Sequence, residues 1–166
     1  MKITASAERR IDAHPGRVYA YIADFRNHHP NILPPAFSDL VVERGGVGAG
    51  TVHRFTLTLG GRTGSARVRV DEPEPGRVLT ETELDSTRDM VTSFTVDAGP
   101  NATSRVRIDT TWRASGLRGL VERILAPRML RRLYDEELAL LDRYARTVAR
   151  TTPRIATNPG RGVVLT

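Results

Sequence analysis

The final third of the chain carries one long amphipathic stripe. From Gly116 the segment GLRGLVERILAPRMLRRLYDEELALLDRYARTVAR sets Leu117, Leu120, Val121, Ile124 and Leu125 at helical spacing. Beyond Pro127 the stripe resumes through Leu130, Leu133, Tyr134, Glu137, Leu138 and Leu141. At 1.5 Å per residue, about 34 residues make a rod of roughly 50 Å. A kink is expected at Pro127, which cannot donate to the carbonyl four residues back. No water-soluble domain leaves such a stripe bare, so the rest of the chain must supply a surface for it.

That surface reads as an antiparallel sheet. KITASAERRI alternates with a period of two, Ile3, Ala5 and Ala7 sharing one side. DAHPGRVYAYIADFRNHHP then places Val18, Tyr21, Ile22 and Phe25 at helical spacing, with Asp12 as the expected N-cap and Pro15 in the first turn. Six more strands follow, from FSDLVVERG to ATSRVRIDTTWRAS, separated by glycine, proline and asparagine turns. Strands gathered into one sheet, with the helices before and after, predict an α+β domain with helices on one face. A sheet of about seven strands curled around one long helix leaves a space between them, where a ligand would go.

With 166 residues the chain is expected to form a single domain over 1–148, followed by a flexible C-terminal tail over 149–166. It has no cysteine, which excludes disulfides and cysteine nucleophiles and suits a reducing compartment. The N-terminus alternates rather than running apolar, and no stretch is long enough for a membrane span, so a cytoplasmic location is the expectation, without membrane insertion. Of the 25 basic residues only Lys2 is lysine, and the arginines are spread from Arg9 to Arg161. That dispersal argues for a solvated surface rather than a nucleic-acid footprint. On the long helix Arg128, Arg131 and Arg132 read as a solvated face balanced by Asp135, Glu136 and Glu137.

The order of elements, the VVERGGVGAGT loop between the second and third strands and the DEPEPGRVLTET turn with its strand resemble the SRPBCC superfamily. This is the helix-grip fold of START lipid-transfer domains, the birch-pollen allergen type and bacterial polyketide cyclase/dehydrase-like proteins, the last being the nearest resemblance. It covers roughly residues 1–148 and implies a cavity lined by inward strand residues, the long helix and the region after the first helix, with two short helices following the first strand. Its members range from carriers of hydrophobic molecules to aromatase/cyclases, so the fold does not choose between them.

Alternation proposes which side chains face that cavity. His53, Phe55, Leu57 and Leu59 share one face of TVHRFTLTL; Met90, Thr92, Phe94 and Val96 one face of MVTSFTV; Val106, Ile108, Thr110 and Trp112 one face of SRVRIDTTW. For each of these, ordinary core packing is the competing reading. Leu57, Phe94 and Trp112 are expected as walls, Met129 and Leu133 as the lid side of the helix, and Leu117 as a further helical contact. His53 is the leading polar anchor, able to hydrogen-bond a ligand or to act as acid or base near neutral pH. Tyr21 is the second. In RVLTETEL the glutamates are expected outside, with Val78, Thr80 and Thr82 inward; in the reversed register Glu81 becomes a buried carboxylate and a candidate base. GGVGAG lacks a phosphate-loop pattern and reads as a flexible hairpin loop, a gate to the cavity in relatives.

RNHHPNILPP joins the first helix to the second strand. Adjacent histidines diverge by about 100° on a helix and point oppositely on a strand, so at most one of His28 and His29 can face a cavity. The pair therefore argues against a metal site, and neither a metal nor another cofactor is expected. His28 shares a helical face with Asp24 and is the candidate for orienting a ligand head group, while Phe25, Leu33 and Phe37 are expected to turn inward around the rim.

The resulting expectation is binding of a lipid, polyketide-like or aromatic apolar molecule. An alternative is a cyclase or dehydratase that uses the same cavity, with His53 or a buried glutamate moving a proton. A third is a protein-interaction module, which would show an exposed apolar patch. A homodimer stays open.

Overall fold

The computed structural model describes residues 1–85, 87–114 and 116–151, with the side chains of the last segment from residue 124 onward. The expected tail falls outside the described residues from position 152; its first three residues continue the helix.

The elements run β1 (Lys2–Ile11), α1 (Pro15–Ala23), a 3-10 turn (His29–Asn31), β2 (Phe37–Arg44), β3 (Val52–Leu59), β4 (Arg62–Glu74), β5 (Val78–Glu83), β6 (Val91–Ala98), β7 (Ser104–Arg113) and α2 (Gly116–Thr151). The seven strands form one antiparallel sheet in the order β1-β7-β6-β5-β4-β3-β2. Each hairpin partner is therefore its sequence neighbour except β1, which closes against β7 with Ile3 opposite Trp112 and Ala7 opposite Ile108. With α1 and α2 on one face, this is the helix-grip fold. The helix continues through Pro127.

α2 packs along β1. Small Ala5 and Ala7 let the helix come close at this edge, and Leu133, Leu138, Leu141 and Ala145 are buried against the sheet. Each large apolar side chain buried there contributes roughly 1.5–3 kcal/mol. Ile11, Val18, Ile22, Val106 and Ile108 complete the core, and Trp112 lies within it. The outer face of the sheet is charged, with Arg67 bonded to Glu43, Arg77 to Glu74 and Asp97, and Arg107 to Asp109. Exposed pairs of this kind contribute little stability; they mark the solvent side.

Three local expectations change. His14, not Asp12, caps α1: its Nδ1 accepts from the Gly16 amide at 3.2 Å, while the Asp12 amide donates to Asp142. The GGVGAG loop is tied down. Arg26 donates to the Gly45 carbonyl, the Phe25 amide to Gly46, the Gly48 amide to Ala23, and the Ala49 amide to Glu72. Finally, β5 has the reversed register. Leu79 pairs with Phe94 and Glu81 with Thr92, so Leu79, Glu81 and Glu83 share the inner face and Val78, Thr80 and Thr82 the outer one. The β-branched outer residues satisfy strand propensity, which is distinct from burial.

Candidate functional site

α2 packs along β1, and a space of about 110 Å³ remains between β3, β5 and β6 on one side and the middle of α2 with the segment after α1 on the other. Its apolar wall is Leu57 and Phe55 from β3, Phe94 from β6, Met90 just before it, and Leu130 and Leu133 from α2. Leu33, Phe37 and Leu40 close its outer end. Residues three apart on a regular strand point to opposite faces. Phe37 and Leu40 face the same cavity because the β2–β3 register shifts between Ser38 and Val41, where Asp39 takes a left-handed φ of 54°. Beyond these three residues an open depression of about 460 Å³ continues along Pro30, Pro34, Pro35 and Ser38.

The inner end is polar. His53 Nε2 lies 3.2 Å from Glu81 Oε1, reaching diagonally over β4, since His53 pairs with Val68 and Glu81 with Val70. Burial pushes the Glu81 carboxyl up, but the His53 hydrogen bond and the electrostatic influence of His53 and His29 outweigh it and hold the group below its ordinary value. A carboxylate only accepts, so His53 Nε2 carries the proton. Phe25 stacks between the His53 ring at 4.6 Å and the His29 ring at 4.4 Å. His29 Nδ1 donates to the Ile22 carbonyl at 2.7 Å, and burial pushes its imidazole below the ordinary range.

Opposite this pair, α2 contributes Tyr134 and Glu137. Tyr134 joins Thr110 and Thr92 in a buried hydroxyl chain, Thr92 and Thr110 being 2.8 Å apart, and burial raises its phenol far above the usual range. Glu137 is buried, and burial together with the Glu81 charge pushes its carboxyl up to about 8. Two side-chain atoms in this cluster are buried without a hydrogen-bond partner, His53 Nδ1 and Glu137 Oε1. Among the described residues no three His, Asp or Glu side chains are placed to hold a metal, and no helix is long and apolar enough to cross a membrane.

Of the residues singled out from the sequence, His53, Glu81, Leu33, Phe37, Phe55, Leu57, Phe94 and Leu133 line this cavity. Phe25 lies behind the histidines, and Ile108 and Trp112 are in the core. Met129 lies against Gly60 at the β3–β4 hairpin. Tyr21 and His28 pack together with Tyr144, His28 Nδ1 lying 2.7 Å from the Tyr144 hydroxyl, away from the cavity lining. Leu117 falls outside the described side chains. Of the histidine pair, His29 is the ring that faces inward.

Glu137 was expected in a solvated charge balance, yet its place in the stripe between Tyr134 and Leu138 was the signal for burial. His29 and Leu40 carried no comparable signal, since a 3-10 turn and a bulge place them.

A family model described as polyketide cyclase/dehydrase and lipid transport matches residues 2–146. No curated protein matches the chain. Among solved structures, the solution structure of KanY protein is 32% identical, covering 88% of this chain and 99% of its own, with a TM-score of 0.76. A Thermus thermophilus protein, TTHA0849, is 19% identical over 88% of this chain and 99% of its own, with a TM-score of 0.73. Major latex-like protein 151 of Panax ginseng is 16% identical over 92% of this chain and 99% of its own, with a TM-score of 0.64. Its sheet, its grip around α2 and the family match over nearly the whole sequence place the chain in the polyketide cyclase/dehydrase and lipid transport family, within the SRPBCC superfamily.

Proposed function

We propose that the protein binds an apolar small molecule in the space between sheet and α2, with its polar end against His53, Glu81 and Glu137. The observation that carries this is the composition of one cavity, a continuous apolar wall ending in unpartnered buried polar atoms. The family description, which includes lipid transport, supports the same reading. The test is titration with the uncharged fluorescent probe N-phenyl-1-naphthylamine, which is too large for the inner space alone and would lie across Leu33, Phe37 and Leu40 into the outer depression. Emission is expected to rise with the native protein and to stay low with Leu57→Trp, which fills the cavity. Equal emission from both proteins would place the probe elsewhere and sink the reading.

A second reading, proton-transfer catalysis, is favoured by the opposite displacements of the two carboxyls. Such a split separates a base from an acid at one pH. The Glu81–His53 pair would take a proton from the carbon beside a ketone while Glu137 gives its proton to the carbonyl oxygen, leaving the enol. This reading requires turnover of a β-keto thioester that both Glu81→Gln and Glu137→Gln abolish; turnover surviving in either variant removes that residue from the chemistry.

A further inference from the structure

We propose that the inner end of the cavity receives an uncharged carbonyl head group and rejects a carboxylate on the same chain. This deepens the binding reading above and rests on it.

The two buried atoms without partners, His53 Nδ1 and Glu137 Oε1, belong to side chains on opposite layers of one cavity. Buried polar groups in native proteins are nearly always hydrogen-bonded, because an unmade bond leaves the desolvation uncompensated. A ligand oxygen placed between the layers supplies the missing partner of the Glu137 carboxyl. Its charge is restricted by what already faces the site. Glu81 on β5 is ionised and bonded to His53 on β3; His29, in the turn after α1, is held toward its neutral form; Tyr134 and Glu137 come from α2. No lysine or arginine among the described residues lines the cavity. An incoming carboxylate would therefore be buried beside Glu81 without an arginine or lysine to pair with, and burying an unpaired charge is strongly unfavourable. A ketone oxygen carries no such penalty and accepts from the Glu137 acid, which is protonated at neutral pH because its carboxyl is raised to about 8.

Size points the same way. The cavity of about 110 Å³ is smaller than the roughly 150 Å³ cavities that admit benzene. It takes a head group, and the chain behind it would run past Leu33, Phe37 and Leu40, which line both the cavity and the outer depression.

The test compares 2-octanone with octanoate by isothermal titration of the full chain at pH 7. The ketone is expected to bind at least tenfold more tightly. Its binding should weaken as pH rises through about 8, and Glu137→Gln, which keeps a neutral donor, should hold it at pH 9. Glu137→Leu, which removes the donor but leaves Glu81, should lose at least tenfold in ketone affinity, with circular dichroism confirming that each variant is folded. Octanoate binding as tightly as the ketone, or ketone affinity unchanged in folded Glu137→Leu, overturns the assignment. If N-phenyl-1-naphthylamine binds and 2-octanone does not, the head-group assignment falls alone. If neither binds, the cavity reading falls with it.

Discussion

Glu81 and Glu137 face one cavity from the sheet and from the helix, and their surroundings set them to opposite protonation states. His53 holds Glu81 ionised, while burial and the Glu81 charge itself keep the proton on Glu137. The pair is thus coupled, one carboxylate sustaining the other carboxylic acid.

The first consequence is a pH dependence of stability. The folded-state pKa of Glu137 lies near 8, above the ordinary 4.5. Between those values the folded state binds more protons than the unfolded one, so stability falls as pH rises, by at most about 1.4 kcal/mol per unit from this group. Above pH 8 the loss is complete. Thermal melts of Glu137→Gln should lack this slope, lying above the native protein at pH 9 and close to it at pH 4.5. Parallel melting curves for the two proteins across that window would refute the assignment.

A second consequence concerns the coupling. Glu81→Gln keeps an acceptor for His53 Nε2 but removes the charge that Glu137 faces. The Glu137 midpoint should fall below 8 yet stay above 4.5, because burial, the larger cause, remains. Carboxyl carbon NMR reads both. An unmoved midpoint would show that the two groups do not sense each other.

Much of this arrangement was legible from residue spacing. The stripe from Leu130 to Leu141 and the alternation of His53, Phe55 and Leu57 both report which side meets the core, because burial imposes the same period on packing and on composition. β5 misled for the same reason inverted. Its inner face carries Glu81 and Glu83 against a single Leu79, and its outer face carries Val78 and threonines. A buried glutamate is stabilised by partners on other strands, here His53 reaching across β4, and strand-by-strand alternation contains no such term. Trp112 shows the other failure. Its side chain turns inward opposite Ile3, but whether an inward residue meets a cavity or the core depends on what packs over it, and Trp112 lies in the core away from the cavity lining. Its emission should therefore be blue-shifted and change little when the cavity fills.

Tyr144→Phe separates the rim from the site. The mutation removes the hydroxyl 2.7 Å from His28 Nδ1, a half-buried bond between α2 and the segment after α1. The expected cost is about 1 kcal/mol of stability, with N-phenyl-1-naphthylamine affinity unchanged within twofold, since neither residue lines the cavity. A loss of affinity without a loss of stability would return His28 to the binding site.

Asp39 tests whether the bulge builds the mouth. Its φ of 54° is tolerated by aspartate, whose side chain bonds locally, here with the Ser38 hydroxyl at 3.0 Å. Valine at that position clashes in the left-handed region, costing roughly 1–2 kcal/mol. The strand can escape by straightening, but a regular alternation then turns Leu40 away from the face that Phe37 occupies. Asp39→Val should therefore lose both stability and apolar-probe affinity, whereas Asp39→Gly, which accepts the same φ, should keep the affinity. If valine lowers stability while binding is untouched, Leu40 does not close the cavity, and the path between the inner space and the outer depression must lie elsewhere along β2.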